Sequence, residues 1–301
     1  QVDIESVIDA AKAVAIPADQ EILHVLPQTY TVDDQEGIRD PIGMSGVRLE
    51  TSVHIVTGSV CAAQNIVKCI ERCDLHVGDI VLEQLASSCV LTDDEKDLGV
   101  CMIDIGGGTT DIALFAGGAI RHTGVIPIAG SQVTNDIAVA MRIPYRIAEH
   151  VKLANASLLR LEEEASFDFE DTDGRKRALS RGMLIDVVRA RYEELFGMVK
   201  SAIRRSGFEA LVVSGIVLTG GASKIEGAAS LAESIFQVPV RIGTPQNVKG
   251  MPDLLTNPIF STSVGLLLHA HEMQLMGEEP ALLRGARGVM KRMSRWFAHN
   301  F

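Results

Sequence analysis

Eight residues, Asp104-Ile105-Gly106-Gly107-Gly108-Thr109-Thr110-Asp111, restrict this chain more than any other stretch. They stand between two apolar runs, Gly99-Val100-Cys101-Met102-Ile103 before and Ile112-Ala113-Leu114-Phe115 after. Short apolar runs bounded by a glycine cluster read as buried strands, so the segment predicts a hairpin with a backbone-lined tip. Consecutive glycines carry no Cβ, so the main-chain N–H groups of Gly106, Gly107, Gly108 and Thr109 can approach an anion closely. Asp104, at the strand end, can hold a magnesium ion through water, as this small and tightly hydrated cation is usually held. The expectation is a loop that cradles nucleotide phosphates. It is not a Walker loop, because no Gly-Lys-Ser/Thr follows. An ordinary hairpin turn would account for three glycines alone; the flanking aspartates and the threonine pair favour phosphate.

A second signal agrees. Gly215-Ile216-Val217-Leu218-Thr219-Gly220-Gly221-Ala222-Ser223 is another apolar strand ending in paired glycines, and Lys224-Ile225-Glu226-Gly227 is expected to open the next helix. Gly220 and Gly221 can pack flat against a purine or ribose where a side chain would collide. A plain strand-to-helix turn also wants glycine.

Hydrophobic residues make up 47% of the 301 and aromatics only 4%, so cores are built from aliphatic side chains, which suits layered α/β packing. The length allows one large or two medium domains. A net charge of −11 argues against general nucleic-acid binding. No run of 18 apolar residues exists to span a bilayer. The five cysteines, Cys61, Cys69, Cys73, Cys89 and Cys101, lack CxxC spacing. They read as buried free thiols of a reducing cytoplasm, and zinc at Cys69 and Cys73 would need two further ligands. The eight histidines are scattered, with none beside a nucleophile motif. The chain begins at Gln1 without a signal-like segment and reads as a piece of a longer or processed protein.

Along the chain, 4–14 reads as an amphipathic helix, 21–26 and 47–56 as strands, and 62–73 as a helix. Together, about residues 1–75 form a small α+β unit. Ile80-Val81-Leu82 reads as a short strand leading into a helix. Residues 119–128 form another strand. Gly130-Ser131 is expected to cap a helix from Gln132 to Met141, with Ser131 as N-cap. Further helices are expected at Tyr145 to about Ser157, Met183 to about Arg205, 225–236 and 260–273, with strands at 215–219 and 239–242. Seven acids and no base between Glu162 and Asp173 suggest a solvated loop.

The tail reverses the chain's charge. After Gly277-Glu278-Glu279-Pro280 no acid remains. Arg284, Arg287, Lys291, Arg292 and Arg295 supply positive charge, while Val289, Met290, Met293, Trp296, Phe297 and Phe301 recur at helical spacing. A basic helix with a Trp/Phe/Met face lies in a membrane interface; docking on the protein's own core or on a partner is the alternative. Each basic residue near an anionic leaflet contributes about 1 kcal/mol. Each large apolar side chain adds about 1.5–3 kcal/mol, and ordering the helix costs about 1 kcal/mol or more per residue. The net is a weak, reversible anchor that many copies side by side would make firm.

These residues together resemble the actin-like ATPase superfamily and, within it, the bacterial cell division FtsA family. The likeness rests on Val25-Leu26-Pro27-Gln28 with Gly46-Val47-Arg48, on Leu85-Ala86-Ser87-Ser88, and on Asp104 to Asp111. His122-Thr123, Leu218 to Ala222, Ser261 to Leu267 and the basic C-terminus complete it. It implies an α/β, actin-like (ribonuclease H-like) fold with an inserted small α+β subdomain. It also implies a division of the chain. Residues 1–78 would be the extra subdomain with a remnant of the first lobe, and 79–98 a first-lobe segment. The nucleotide-binding second lobe would take 99–150, its helical/β insert 151–210, its remainder with a closing helix 211–276, and the linker and membrane helix 277–301. The family's first strand and first phosphate loop would precede this chain, taking one wall of the site with them.

By position, the resemblance assigns Gly106, Gly107, Gly108 and Thr109 to the phosphates of ATP and Asp104 to magnesium. Glu149 meets the ribose, Lys152 lies by the base, and Gly220, Gly221 and Ala222 flank the adenosine. From composition alone Glu149 and Lys152 are an exposed i,i+3 pair. Arg191 and Tyr192 fall where the family receives the C-terminal peptide of the tubulin-like filament protein FtsZ, although Arg191 also has glutamates to pair with. Val289, Met290, Lys291, Arg292, Met293, Arg295, Trp296 and Phe297 would meet anionic inner-membrane lipids. The implied role is a self-polymerising, peripheral adaptor on the cytoplasmic face of the inner membrane at the division site, recruiting later division proteins. ATP acts there mainly as a conformational ligand, and no residue stands out as a dedicated water-activating base. A superfamily small-molecule kinase would need such a carboxylate and a substrate domain. A chaperone would need a β-rich domain after the last helix, and the family's pilus-assembly relative would lack the tail.

Overall fold

The computed structural model describes residues 2–159, 166–170, 176–246, 248–250 and 252–275. The expectations for Val289 to Phe297 lie outside them. The chain folds as two compact units, one formed by residues up to Leu82 with those from Leu266, the other by Glu83–Gly265.

The first unit starts with α1 (Val2–Lys12), followed by β1 (Gln20–Val32), β2 (Gln35–Ile38), β3 (Leu49–Ser59) and α2 (Val60–Glu71). The strands form an antiparallel sheet of order β2-β1-β3. β1 runs six residues past the predicted Leu26 because Pro27 does not end it. The register slips between Pro27 and Thr29, and a bulge accommodates a residue that cannot donate to the ladder. β2 falls in the Gly/Pro/Asp-rich stretch between the two predicted strands. Val47 is fully exposed and outside β3, since the Asp33 carboxylate captures the N–H groups of Val47 and Arg48, both at 2.9 Å. Two further expectations are corrected here. Ile80-Val81-Leu82 is not a strand; the Leu82 N–H is instead taken by His24 Nε2 at 2.9 Å. Nor are the cysteines generally buried: Cys61, Cys69 and Cys73 are exposed, the first two on α2 and the third just past its end, and only Cys101 is fully buried.

The second unit contains α3 (Glu83–Ser87), α4 (Asp93–Leu98), β4 (Val100–Ile105), β5 (Thr110–Ala116), β6 (Ala119–Ile126), α5 (Gly130–Met141) and α6 (Tyr145–Asn155). It continues with β7 (Ser166–Glu170), β8 (Lys176–Ser180), α7 (Arg181–Ser206), β9 (Ile216–Thr219), α8 (Ala228–Phe236), β10 (Val240–Ile242) and α9 (Pro252–Leu255). α10 (Ser261–Leu275) begins in this unit.

Its sheet has the order β10-β9-β4-β5-β6. β4, β5 and β6 form an antiparallel meander, while β9 and β10 run parallel to β4. Every residue of β4, β5 and β9 is buried, so both faces of the sheet are covered and these strands read as unbroken apolar runs. The exceptions to that apolarity are Asp104, Thr110, Asp111 and Thr219. Register places them together, Asp104 opposite both Asp111 and Thr219, at one end of the sheet. Carboxylates are not buried without a task or a partner, so this end marks the site.

On one face Cys101, Ile103 and Ile105 alternate into a core with Ile137, Val188 and Leu231. Phe196 of α7 centres that core, edge-on to Tyr192 at 5.8 Å and to Phe236 at 5.7 Å.

Three boundary expectations fail for local reasons. α5 starts at Gly130 with Ala129 as N-cap, and the Gln132 side chain, not Ser131, accepts the Ala129 N–H at 2.9 Å. α8 starts at Ala228, because Gly227 takes φ +85, which no α-helix interior contains. Part of the acidic segment is a hairpin, β7 with β8, in which Phe167 and Phe169 turn inward and Ser166 and Asp168 outward. The acids conceal a period-2 pattern carried by two phenylalanines.

Candidate functional site

The hairpin tip between β4 and β5 is tied down through its carbonyls. Gly106 donates to Thr109 O at 3.0 Å, while Gly106 O and Gly107 O accept from Gly130 N (3.1 Å) and Ser131 N (2.7 Å) at the start of α5. Among the described residues the N–H groups of Gly107, Gly108 and Thr109 find no acceptor. A Cβ at Gly108 would meet nothing within 4 Å. The loop therefore presents free donors over open space, the cradle expected for an anion. Gly106 is set apart, because its N–H closes the turn.

Beneath the tip three carboxyls converge. Asp104 is 3% exposed and accepts from Ser87 Oγ at 2.5 Å. The Thr262 hydroxyl stands 2.9 Å from Ser87 Oγ and 3.4 Å from Asp104 Oδ2. Asp111 accepts from Gln84 Nε2 (2.8 Å) and Thr109 Oγ1 (3.1 Å). Burial pushes both aspartates above the usual carboxylate range, against the pull of those hydrogen bonds. Glu83, first residue of α3, is pushed up to about 7 by burial and then by the charges of Asp111 and Asp104. The buried Gln84 Oε1 has no protein partner, leaving an acceptor beside the acids. Excess negative charge of this kind fits a site completed by a cation.

This cluster makes stability depend on pH. A carboxyl whose pKa is raised in the folded state stabilises the fold while protonated. That contribution is complete below the ordinary carboxylate pKa and disappears as pH rises through about 7. Without divalent cations, the melting temperature is expected to fall between about pH 5 and pH 7, and Glu83→Gln is expected to flatten that slope. An unchanged slope in the variant would remove Glu83 from the cluster.

The other half of the site is a cavity of about 300 Å³ lined in part by Gly130, Lys152, Tyr192, Gly221, Ala222 and Ile259. Lys152 and Glu149 are not the exposed pair that spacing alone suggested. Lys152 Nζ, largely buried, bonds Glu149 (2.8 Å), Gly130 O (3.0 Å) and Thr134 Oγ1 (2.8 Å). Thr134 bonds the same Glu149 carboxylate. Burial would raise the Glu149 pKa, but hydrogen bonds from Lys152 and Thr134 outweigh it and hold the carboxylate ionised. Gly130 joins the halves: a Cβ there would lie 3.3 Å from Gly106 O and 3.6 Å from Ala222 Cβ.

The structure thus gathers the predicted Asp104, Gly107, Gly108 and Thr109 at the sheet end, and Lys152, Gly221 and Ala222 on the cavity lining, with Glu149 behind them on Lys152. Gly220 packs directly on Asp104. Arg191 and Tyr192, neighbours on α7, part company. Tyr192 is 2% exposed and donates to Ala222 O at 2.6 Å, inside the cavity wall. Arg191 forks onto Asp136 of α5 (Nε to Oδ2 2.5 Å, Nη2 to Oδ1 2.9 Å), also bonds Glu194, and borders a separate groove with Val139 and Val187. Sequence reasoning missed Glu83, Gln84 and Thr134, which carry no motif of their own. Ser87 and Thr262 lay within the Leu85-Ala86-Ser87-Ser88 and Ser261 to Leu267 landmarks without an assigned task.

A central sheet with three meandering and two parallel strands, a glycine hairpin of free N–H groups and a nucleoside-sized cavity define an actin-like, nucleotide-type ATPase fold. Solved structures of similar fold include the PilM-PilN type IV pilus biogenesis complex, with TM-score 0.63 and 18% identity over 89% of this chain and 71% of that one. MreB5 of Spiroplasma citri bound to ADP is similar at TM-score 0.56 and 18% identity, over 82% and 90% of the two chains. In sequence, the family model for cell division protein FtsA matches residues 101–265, and that for the SHS2 domain inserted in FTSA matches residues 1–57. The cell division protein FtsA of Pseudomonas aeruginosa is 54% identical over 99% of this chain and 74% of its own length. That of Neisseria meningitidis is 46% identical and that of Escherichia coli K12 43%, each over 100% of this chain and 75% of the relative. The chain belongs to the FtsA cell division protein family.

Proposed function

We propose that this chain binds ATP with magnesium and acts as a polymerising adaptor, holding FtsZ filaments on the cytoplasmic face of the membrane at the division site. The observation that carries the nucleotide half is the junction at Gly130, which joins a cradle of free N–H groups to the cavity of about 300 Å³. Gly107, Gly108 and Thr109 would receive phosphate oxygens. Asp104 would hold magnesium through water, and Glu149 and Lys152 would meet the ribose and base. Bound magnesium would supply the positive charge that Asp104, Asp111 and Glu83 lack. The ADP-bound and AMPPNP-bound MreB5 structures, similar in fold, support this reading. Arg191, beside the groove between α5 and α7, is retained as a contact for the FtsZ peptide; the inward Tyr192 belongs with the nucleotide. Later division proteins remain further partners.

The membrane half rests on the charge reversal and aromatic spacing after Pro280. Among the described residues no helix is long and apolar enough to cross a membrane. Pelleting with anionic liposomes tests it, comparing this chain with one stopped at Pro280, each with and without FtsZ filaments. The full chain is expected to pellet and carry FtsZ down. Truncation is expected to cost roughly tenfold or more in bound protein, given about 1 kcal/mol per basic residue. Pelleting that is absent or indifferent to the tail would overturn the adaptor reading.

A further inference from the structure

A buried tyrosine needs an acceptor for its hydroxyl. Tyr192 has only 2% exposure and donates at 2.6 Å to Ala222 O, in the tight turn Gly221–Lys224 that forms one wall of the cavity. The residue before it fastens α5, whose first residue, Gly130, also lines the cavity. Arg191 grips Asp136 with two hydrogen bonds. Asp136 belongs to α5, whose first residues hold the glycine loop and whose Thr134 bonds Glu149 and Lys152. Two consecutive residues of one long helix therefore hold two elements that line the same cavity, the Gly221–Lys224 turn and α5. α7 is anchored by Leu195, Phe196 and Val199 deep in the core, so neither hold gives way easily.

We propose that Tyr192 is a positioning residue for the nucleoside half of the site, acting through the Ala222 carbonyl, and that α7 sets the width of the cavity. The inference rests on the nucleotide reading above and adds to it.

Tyr192→Phe tests it. The phenyl ring keeps its volume and the edge contact with Phe196, while the Ala222 carbonyl loses its donor. Affinity is measured calorimetrically for ATP with magnesium, for adenosine, and for inorganic triphosphate. ATP and adenosine are expected to weaken about tenfold, the scale of one lost buried hydrogen bond, and triphosphate to hold. Should Tyr192→Phe melt well below the wild type, Val100→Ala serves as the second variant. It destabilises the same unit at the buried start of β4, away from α7 and the cavity lining, with the hydroxyl bond intact, and must leave the ratio of adenosine to triphosphate affinity unchanged. If Tyr192→Phe binds all three as the wild type does, or weakens all three equally, the positioning role is overturned while the nucleotide reading stands. A wild-type chain that binds none of the three would overturn both.

Discussion

Gly220→Ala is expected to lose nucleotide binding and to melt on the order of 10 °C below the wild type, counting about 2–4 °C per kcal/mol for a unit of this size. Two costs add. Gly220 sits at φ +85 and ψ +167, a region essentially reserved for glycine, where a residue with a Cβ costs about 1–3 kcal/mol. That Cβ would also lie 2.3 Å from Asp104 Oδ1 and 2.5 Å from Ile105 O. The obstructing atoms are a buried carboxylate and the backbone of the central strand, neither of which can swing aside. Overpacking of this kind costs about 1–3 kcal/mol more. Any relief must come from pushing Asp104 out of line, so affinity for ATP should fall more than stability alone explains. Thermal melts and ATP titrations on the same preparation check both. Melting within about 2 °C of the wild type would show that the turn can yield.

Asp104→Asn should separate stability from binding. The wild-type carboxyl is raised by burial, so its charge opposes folding in the absence of a cation. The amide oxygen can still accept from Ser87, and the repulsion toward Asp111 and Glu83 disappears. The cation-free variant is therefore expected to melt at or above the wild-type temperature. Magnesium, in contrast, should no longer tighten ATP. For a ligand acting through water the loss is roughly 10–100-fold in magnesium-dependent affinity. The decisive comparison is ATP affinity with and without magnesium in both proteins. Equal tightening by magnesium would exclude Asp104 from holding the cation.

Much of the candidate site is legible in the sequence. β4 and β5 were readable because a strand buried on both faces must be apolar throughout, and Asp104 and Asp111 interrupt that rule at its ends. Glu149 and Lys152 were readable as neighbours because one helical turn fixes their spacing. The errors share a cause. Ending β1 at Pro27 was a local inference that a bulge defeats. The acids around Phe167 and Phe169 hid the strand alternation. Ser131 has the chemistry of an N-cap, but the helix already starts at Gly130, which leaves Ser131 inside its first turn.

What the sequence determined by itself is whatever a few consecutive residues decide. It set the glycine hairpin, the apolar central strands, the helix carrying Glu149 and Lys152, and the family likeness those segments carry. Tertiary structure alone decided which distant residues meet. Ser87 lies 17 residues from Asp104, Gln84 lies 27 from Asp111, and Tyr192 lies 30 from the carbonyl it holds. A pKa near 7 for Glu83, or a tyrosine turned from surface contact to cavity wall, depends on charge and burial summed over space. Spacing along a chain carries no record of those sums, because folding brings together groups that the sequence keeps apart.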